Sequence, residues 1–290
     1  MKTNFWGITI AAATLLLLTS CQRDELQGGS ISGEEVSVSI SATMPIDGGA
    51  VVKSDTEPGD GSLANRCIMQ IYYLPDGESG TAEPVAYGDR VTVAVSGMKA
   101  VFPDQRLVSG HDYRFVFWAD HVTDNSSAEA LAQDLHYDTE EFPIVSFKEE
   151  DGTLSYSSND DTRDAFFAAE VRNISGPSSL SFDLKRPFGQ LNIITTDWGD
   201  VVDQLRPSKL KLDFKSLPNS IDLVSGKVNG SEDIVSEVAV SRVPENGDSK
   251  QLSFDYIFAK DGEQTVLADF TMNFLLDDGT DVTDPYTFTN

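Results

Sequence analysis

From Val36 to Met44 the chain alternates without a break. Val36, Val38, Ile40, Ala42 and Met44 are apolar, while Ser37, Ser39, Ser41 and Thr43 carry hydroxyls. Successive side chains of a strand point to opposite faces, so a period of two describes a β-strand with one buried face and excludes an amphipathic helix. Pro45 ends the run. The same grammar recurs along the chain. Candidate strands follow at 67–74, 84–87, 90–95, 99–102, 113–118 and 144–147, separated by turn signals such as Pro58-Gly59-Asp60-Gly61. Phe166-Phe167 re-enters a core after the polar stretch Asn159–Asp164. A second set begins near residue 179, with candidates at 180–184, 190–196, 209–214, 220–224, 234–240, 251–259 and 265–276. Ser126 or Ser127 can cap one short helix over Ala128–Leu135, and Asp197–Leu205 is a second short helical candidate. Many short strands with little helix indicate an all-β chain of two β-sandwiches, with one short helix in the first. The expected division is 35–178 for the first sandwich and 179–290 for the second.

The start of the chain reads differently. Lys2 precedes an apolar run from Ile8 to Leu18, and Leu18-Thr19-Ser20 leads into Cys21. The run has the length of a signal-peptide core and falls short of the about 20 apolar residues that span a bilayer. Residues 1–20 are therefore expected to be a lipoprotein signal peptide, with Cys21 the acylated residue. Each buried acyl methylene contributes roughly 0.8 kcal/mol to anchoring. Residues 21–34, rich in Gly, Ser and charge, read as a flexible tether. Within it, Gln22-Arg23-Asp24-Glu25 resembles the charged tetrapeptide after the lipidated cysteine of surface-exported lipoproteins of the Bacteroidota. That resemblance implies the outer leaflet of the outer membrane.

Charge narrows the partners. Across 290 residues, 47 acids against 21 bases give a formal net charge of -26. Nucleic-acid binding needs clustered Lys and Arg to displace counterions, and this chain repels phosphate. With Cys21 acylated, Cys67 has no partner for an intrachain disulfide. Its setting, Cys67-Ile68-Met69-Gln70-Ile71-Tyr72, predicts a buried structural thiol.

Catalytic and cofactor signatures are missing. His111, His121 and His136 stand in no metal-binding spacing, and there is no G-x-S-x-G elbow, phosphate loop or C-x-x-C. Neither a metal nor another cofactor is expected, and the chain reads as a non-enzyme. The acid pairs, Asp277-Asp278 among them, are expected in solvated loops, and Asp278-Gly279 as a hairpin turn. Trp118, Trp198, Tyr72 and Tyr73 offer material for a sugar-stacking platform. They are scattered over both sets of strands, and core and interface packing is the favoured role for aromatics at this density.

A longer resemblance runs through the middle of the chain. Asp164-Ala165-Phe166-Phe167-Ala168 and Leu180-Ser181-Phe182-Asp183-Leu184-Lys185-Arg186-Pro187-Phe188-Gly189-Gln190-Leu191-Asn192-Ile193 resemble the mid-chain signature of fimbrillin-like lipoproteins of the Bacteroidales. Pro218–Val228 and Leu252–Ala259 resemble later strands of that family. The resemblance implies two transthyretin-like β-sandwiches in tandem, export as a lipoprotein, and assembly into pili with other subunits by strand exchange. It makes Val36, Val38, Ile40, Ala42 and Met44 either the exchangeable strand or an ordinary permanent one. It implies processing after an arginine. Here the loop after the first strand offers Lys53, and the nearest arginine, Arg66, borders the next strand, so both are candidate proteolytic sites. By the same comparison, the end at Tyr286–Asn290 implies either a shortened chain or a second sandwich that itself lacks its last strand. The rival expectation is a carbohydrate-binding accessory lipoprotein of a glycan-uptake system.

Overall fold

The computed structural model describes residues 31–45, 61–200, 206–240, 250–259 and 267–289. The elements are nearly all strands. In the first part these are β1 (Glu35–Thr43), β2 (Arg66–Leu74), β3 (Val85–Ser96), β4 (Lys99–Val108) and β5 (His111–Asp120). A four-residue helix, α1 (Ala128–Leu131), follows. Ser127 caps it by accepting from the Ala130 N–H at 3.1 Å, which satisfies one of the donors that a helix start leaves open. Then come β6 (Tyr137–Asp138), β7 (Ile144–Phe147), the small hairpin β8 (Glu149–Glu150) and β9 (Thr153–Leu154), β10 (Phe166–Ile174) and β11 (Ser178–Asp183). The remainder is β12 (Phe188–Thr195), β13 (Lys209–Leu217), β14 (Ser220–Asp222), β15 (Lys227–Asn229), β16 (Glu232–Ala239), β17 (Lys250–Phe258), β18 (Phe270–Leu275) and β19 (Tyr286–Phe288). Trp198–Asp200 forms a single 3-10 turn where a longer helical stretch was expected, and residues 201–205 lie outside the described ones.

Seven strands form one sheet in the order β10-β5-β2-β3-β4-β1-β11. The sheet folds over at β3, which pairs with β2 along most of its length but with β4 only at Val95–Ala100 and Ser96–Lys99. The candidates at 84–87 and 90–95 are therefore one strand. Gly88, at φ +69°, sits where β3 skips register against Met69 and Ile71, the kind of irregularity that bends a sheet. The two layers so formed, β10-β5-β2 and β4-β1-β11, enclose a core. Phe102 and Phe182 reach across to Phe117, with ring centres 5.7 and 4.7 Å apart. Backbone bonds between Phe167 and Lys185, 2.8 and 2.9 Å, tie the far edges together.

The layer β10-β5-β2 is buried on both faces. Cys67, Met69, Phe115, Phe117 and Phe166 look into the first core. Ile68, Val116, Trp118 and Phe167 look the other way, into a second core shared with β7, β13, β14, β17 and β18. This is why 67–71 and 115–119 read as near-continuous apolar runs and not as alternation.

The second half carries the sheets β16-β13-β18-β19, β15-β14-β7-β6 and β12-β17. Two strands pair across the division expected at residue 179. β11 lies beside β1, while β7 pairs with β14. Periodicity reports which face of a strand is buried and says nothing of which strand lies next to it. Asp278-Gly279 does make a tight turn. Gly279, at φ +81°, donates to the Leu276 carbonyl at 2.9 Å.

Candidate functional site: the seat of the first strand

The alternation of β1 places Val36, Val38, Ile40, Ala42 and Met44 on the core face, none more than 6 % exposed. On one side β1 runs antiparallel to β4, with Val36 opposite Leu107, Ile40 opposite Phe102 and Ala42 opposite Ala100. On the other it runs parallel to β11, with Val38 opposite Ser178, Ile40 opposite Leu180 and Ala42 opposite Phe182. Backbone bonds extend the seat at both ends. The Ser109 N–H donates to the Glu34 carbonyl at 2.8 Å, the Met44 N–H to Met98 at 3.0 Å, and the Leu184 N–H to Thr43 at 2.8 Å.

Side-chain polar bonds contribute little to this seat. Among the described residues, the side chains of β1 make one hydrogen bond, Ser37 Oγ to Asp104 Oδ2 at 3.4 Å, and it is exposed. β1 is thus held by main-chain ladders and by the shapes of five apolar side chains. Ladders accept any sequence, and pockets for alternate side chains supply the selectivity. Ala42 is the narrow point, fully buried between Ala100 and Phe182. We expect Ala42→Leu to overpack it and cost about 1–3 kcal/mol. Urea unfolding would measure this, and an unchanged midpoint would mean that the seat is slack at this position.

The structure places Arg66 in a buried ion pair. Its side chain is 1 % exposed. Nε and Nη2 donate to the two oxygens of Asp120 at 2.7 and 2.5 Å, and Nη1 donates to Asp134 at 2.8 Å and to the Leu131 carbonyl at 3.2 Å. Burial works against the charge, and the two carboxylates outweigh it, so the guanidinium is held more firmly protonated than usual. A protease recognises an arginine side chain that it can reach; this one pins the start of β2 to the excursion that carries α1. Asn65 reinforces it by exchanging two 2.8 Å bonds with the backbone of Val122. The other processing candidate, Lys53, lies outside the described residues, as do Cys21, Gln22, Arg23, Asp24 and Glu25.

The remaining candidates are dispersed. Trp118 is completely buried, and Trp198 is half-buried beneath the Arg206 guanidinium, 5.5 Å from its ring centre. Together they form no open platform. The three histidines are engaged separately. His111 contacts the Ser32 carbonyl at 2.9 Å, His121 the Leu63 carbonyl at 2.8 Å and His136 the Thr162 hydroxyl at 2.6 Å. Among the described residues no group of three or more His, Cys, Asp or Glu is placed to hold a metal ion. Cys67 is buried and free, and burial pushes its thiol well above the ordinary range. A thiolate is disfavoured there.

Sequence reading missed the parallel partner of β1 and the closely buried polar cluster around Asp255. The one available signal for the latter was a lone acid inside the apolar run Leu252–Phe258.

The model of a family of unknown function (DUF6562) matches residues 29–290. The chain belongs to that family. The matched span of this DUF6562 member includes the whole of β1 and its seat. The comparison with curated proteins gave no match. Among solved structures, a candidate adhesin from Bacteroides ovatus shares 12 % identity over 97 % of this chain and 88 % of its own, with a TM-score of 0.46. A candidate polysaccharide-binding protein from Bacteroides thetaiotaomicron shares 8 % identity over 82 % of this chain and 76 % of its own, with a TM-score of 0.45. A fimbrial assembly protein from Parabacteroides distasonis shares 9 % identity over 88 % and 86 %, with a TM-score of 0.38.

Proposed function

We propose that this chain is a lipid-anchored cell-surface protein, acylated at Cys21, that serves as a fimbrial subunit or as the anchor or accessory subunit of one. In this reading β1 is the exchangeable strand. The observation that carries it is the seat of β1, a slot between β4 and β11 whose occupant is fixed by main-chain bonds and alternate apolar side chains. Removal of β1 would leave two strand edges with unpaired backbone groups and an apolar floor, a template for a strand from another subunit. The body beyond β1 has its own fastening in Asn65 and Arg66, so β2 keeps its place when β1 leaves. The alternating sequence of β1 and the lipoprotein-like start of the chain support the same reading. The glycan-binding rival draws no support from Trp118, which lies in the core.

Intact mass and N-terminal sequence of the protein released from native cells test this. A chain that starts shortly after Lys53 and is recovered in high-mass polymers is the result expected of a shaft or tip subunit. A chain that keeps acylated Cys21 and co-purifies with such polymers is the result expected of an anchor. An unacylated monomer would overturn the proposal.

A further inference from the structure

Between β3 and the excursion that carries α1 lies an open cleft of about 370 Å³. Arg90 of β3, Asp134, Asp138 and Glu140 of the chain around β6, and Lys148 and Glu149 at the start of β8 line it. Its floor is braced from behind by the fastening around Arg66. The Asp134 carboxylate accepts from Arg66 Nη1 at 2.8 Å, from the Thr139 N–H at 2.8 Å and from the Thr139 hydroxyl at 3.1 Å. Arg66 is 1 % and Thr139 4 % exposed, so buried partners hold both ends of the turn from Asp134 to Thr139.

The two cations of the cleft are held by carbonyls of that turn and not by the acids beside them. Arg90 Nη1 donates to the Thr139 carbonyl, and the guanidinium lies 6.0 Å from the centre of the Phe142 ring. Lys148 Nζ donates to the Asp134 carbonyl at 2.6 Å. Among the described residues neither cation forms an ion pair with Asp138, Glu140 or Glu149. Asp138 accepts from the Glu140 N–H at 2.8 Å, while the Glu140 and Glu149 side chains are exposed and bond to no described residue. Hydrogen-bonding capacity of both kinds is thus left over in one place. Arg90 keeps Nε and Nη2, and Lys148 keeps further N–H groups, all of them donors, whereas the carboxylates only accept.

We propose that this cleft binds one sugar residue of a neutral glycan, between Arg90 and Lys148 as donors and Glu140 and Glu149 as acceptors. The chemistry of the lining selects that class. An apolar ligand gains nothing from walls of charged side chains that keep their water. An anion meets Asp138, Glu140 and Glu149, and a cation meets Arg90 and Lys148. A sugar hydroxyl donates and accepts at once, so neighbouring hydroxyls of one ring use both sets without bringing charge of their own to a chain of net charge -26. Bonds to ionised partners are the stronger kind. The braced turn holds Arg90 and Lys148 in place before the ligand arrives, which lowers the ordering cost of binding. The volume falls within the range of small-molecule sites, about 300–1,000 Å³. The site is separate from the seat of β1 and stands whether or not that strand is exchanged.

Binding of the full chain to an array of neutral, sialylated and uronic-acid glycans and a lysine-rich peptide, followed by calorimetric titration with the neutral oligosaccharide it retains best, tests the site. Neutral glycans should be retained and the acidic ones should not. The double variant Glu140→Ala with Glu149→Ala should bind that oligosaccharide about ten-fold more weakly or worse, since each lost partner is a charged acceptor. Its melting temperature should stay where it is, because neither side chain bonds to the described fold. If that variant does not fold, Glu140→Gln with Glu149→Gln, which keeps the volumes, takes its place. Retention of no neutral glycan overturns the proposal. Equal affinity in the variant overturns it too, by placing the sugar elsewhere. A chain that retains only the lysine-rich peptide carries a cation site, and the sugar assignment is then lost.

Discussion

A chain that begins at Ser54 should melt at a markedly lower temperature than the full chain and regain stability when a peptide of residues 35–44 is added. Burial of Val36, Val38, Ile40 and Met44 contributes about 1.5–3 kcal/mol for each side chain. Their combined effect is comparable with the whole net stability of an ordinary domain, about 5–15 kcal/mol. Loss of β1 also strips both ladders from β4 and β11. The peptide restores those bonds and the alternate side chains together, and a dissociation constant near micromolar, about -8 kcal/mol, is the expected order. A peptide with Ile40→Asp should fail, because it would carry an unpaired charge into a site that is 2 % exposed. Thermal melts with and without peptide measure the effect. If the natural peptide leaves the shortened chain unchanged, the strand-exchange reading is lost. If the shortened chain melts like the full one, β1 contributes far less than its burial indicates.

Arg66→Ala should be the most damaging single substitution at the fastening between β2 and α1, costing about 3–5 kcal/mol. The cost comes chiefly from what is left behind. Asp120 is fully buried and receives both of its short bonds from Arg66. Without the guanidinium its carboxylate is a buried charge with no counter-charge at hand. The paired substitution Arg66→Met with Asp120→Leu should be markedly milder, since it removes the desolvation cost along with the attraction. Urea denaturation of the two variants makes the comparison. Equal losses would mean that packing volume, and not charge, is what Arg66 supplies.

Much of the architecture could be read directly from residue order. The period of two in β1, the apolar runs at 67–74 and 113–118, and the serine cap before Ala128 each follow from local chemistry, and each stands in the structure. What could not be read was partnership. Nothing in Ser178–Asp183 announces that it lies parallel to β1. Arg66 and Asp120 are 54 residues apart, so the sequence shows two unrelated charges where the fold makes one buried pair. The same holds for Asp255 and Ser158, 97 residues apart.

The two-faced layer β10-β5-β2 ties the history of the two cores together. Phe117 serves the first core, and its neighbours Val116 and Trp118 serve the second, on one continuous backbone. A substitution that shifts Phe117 displaces that backbone and disturbs the packing behind it, because close-packed interiors transmit strain. Neither half can drift freely in sequence while the other stands still. Compensating changes for a mutation in one core are to be sought in the other, across the thickness of a single sheet.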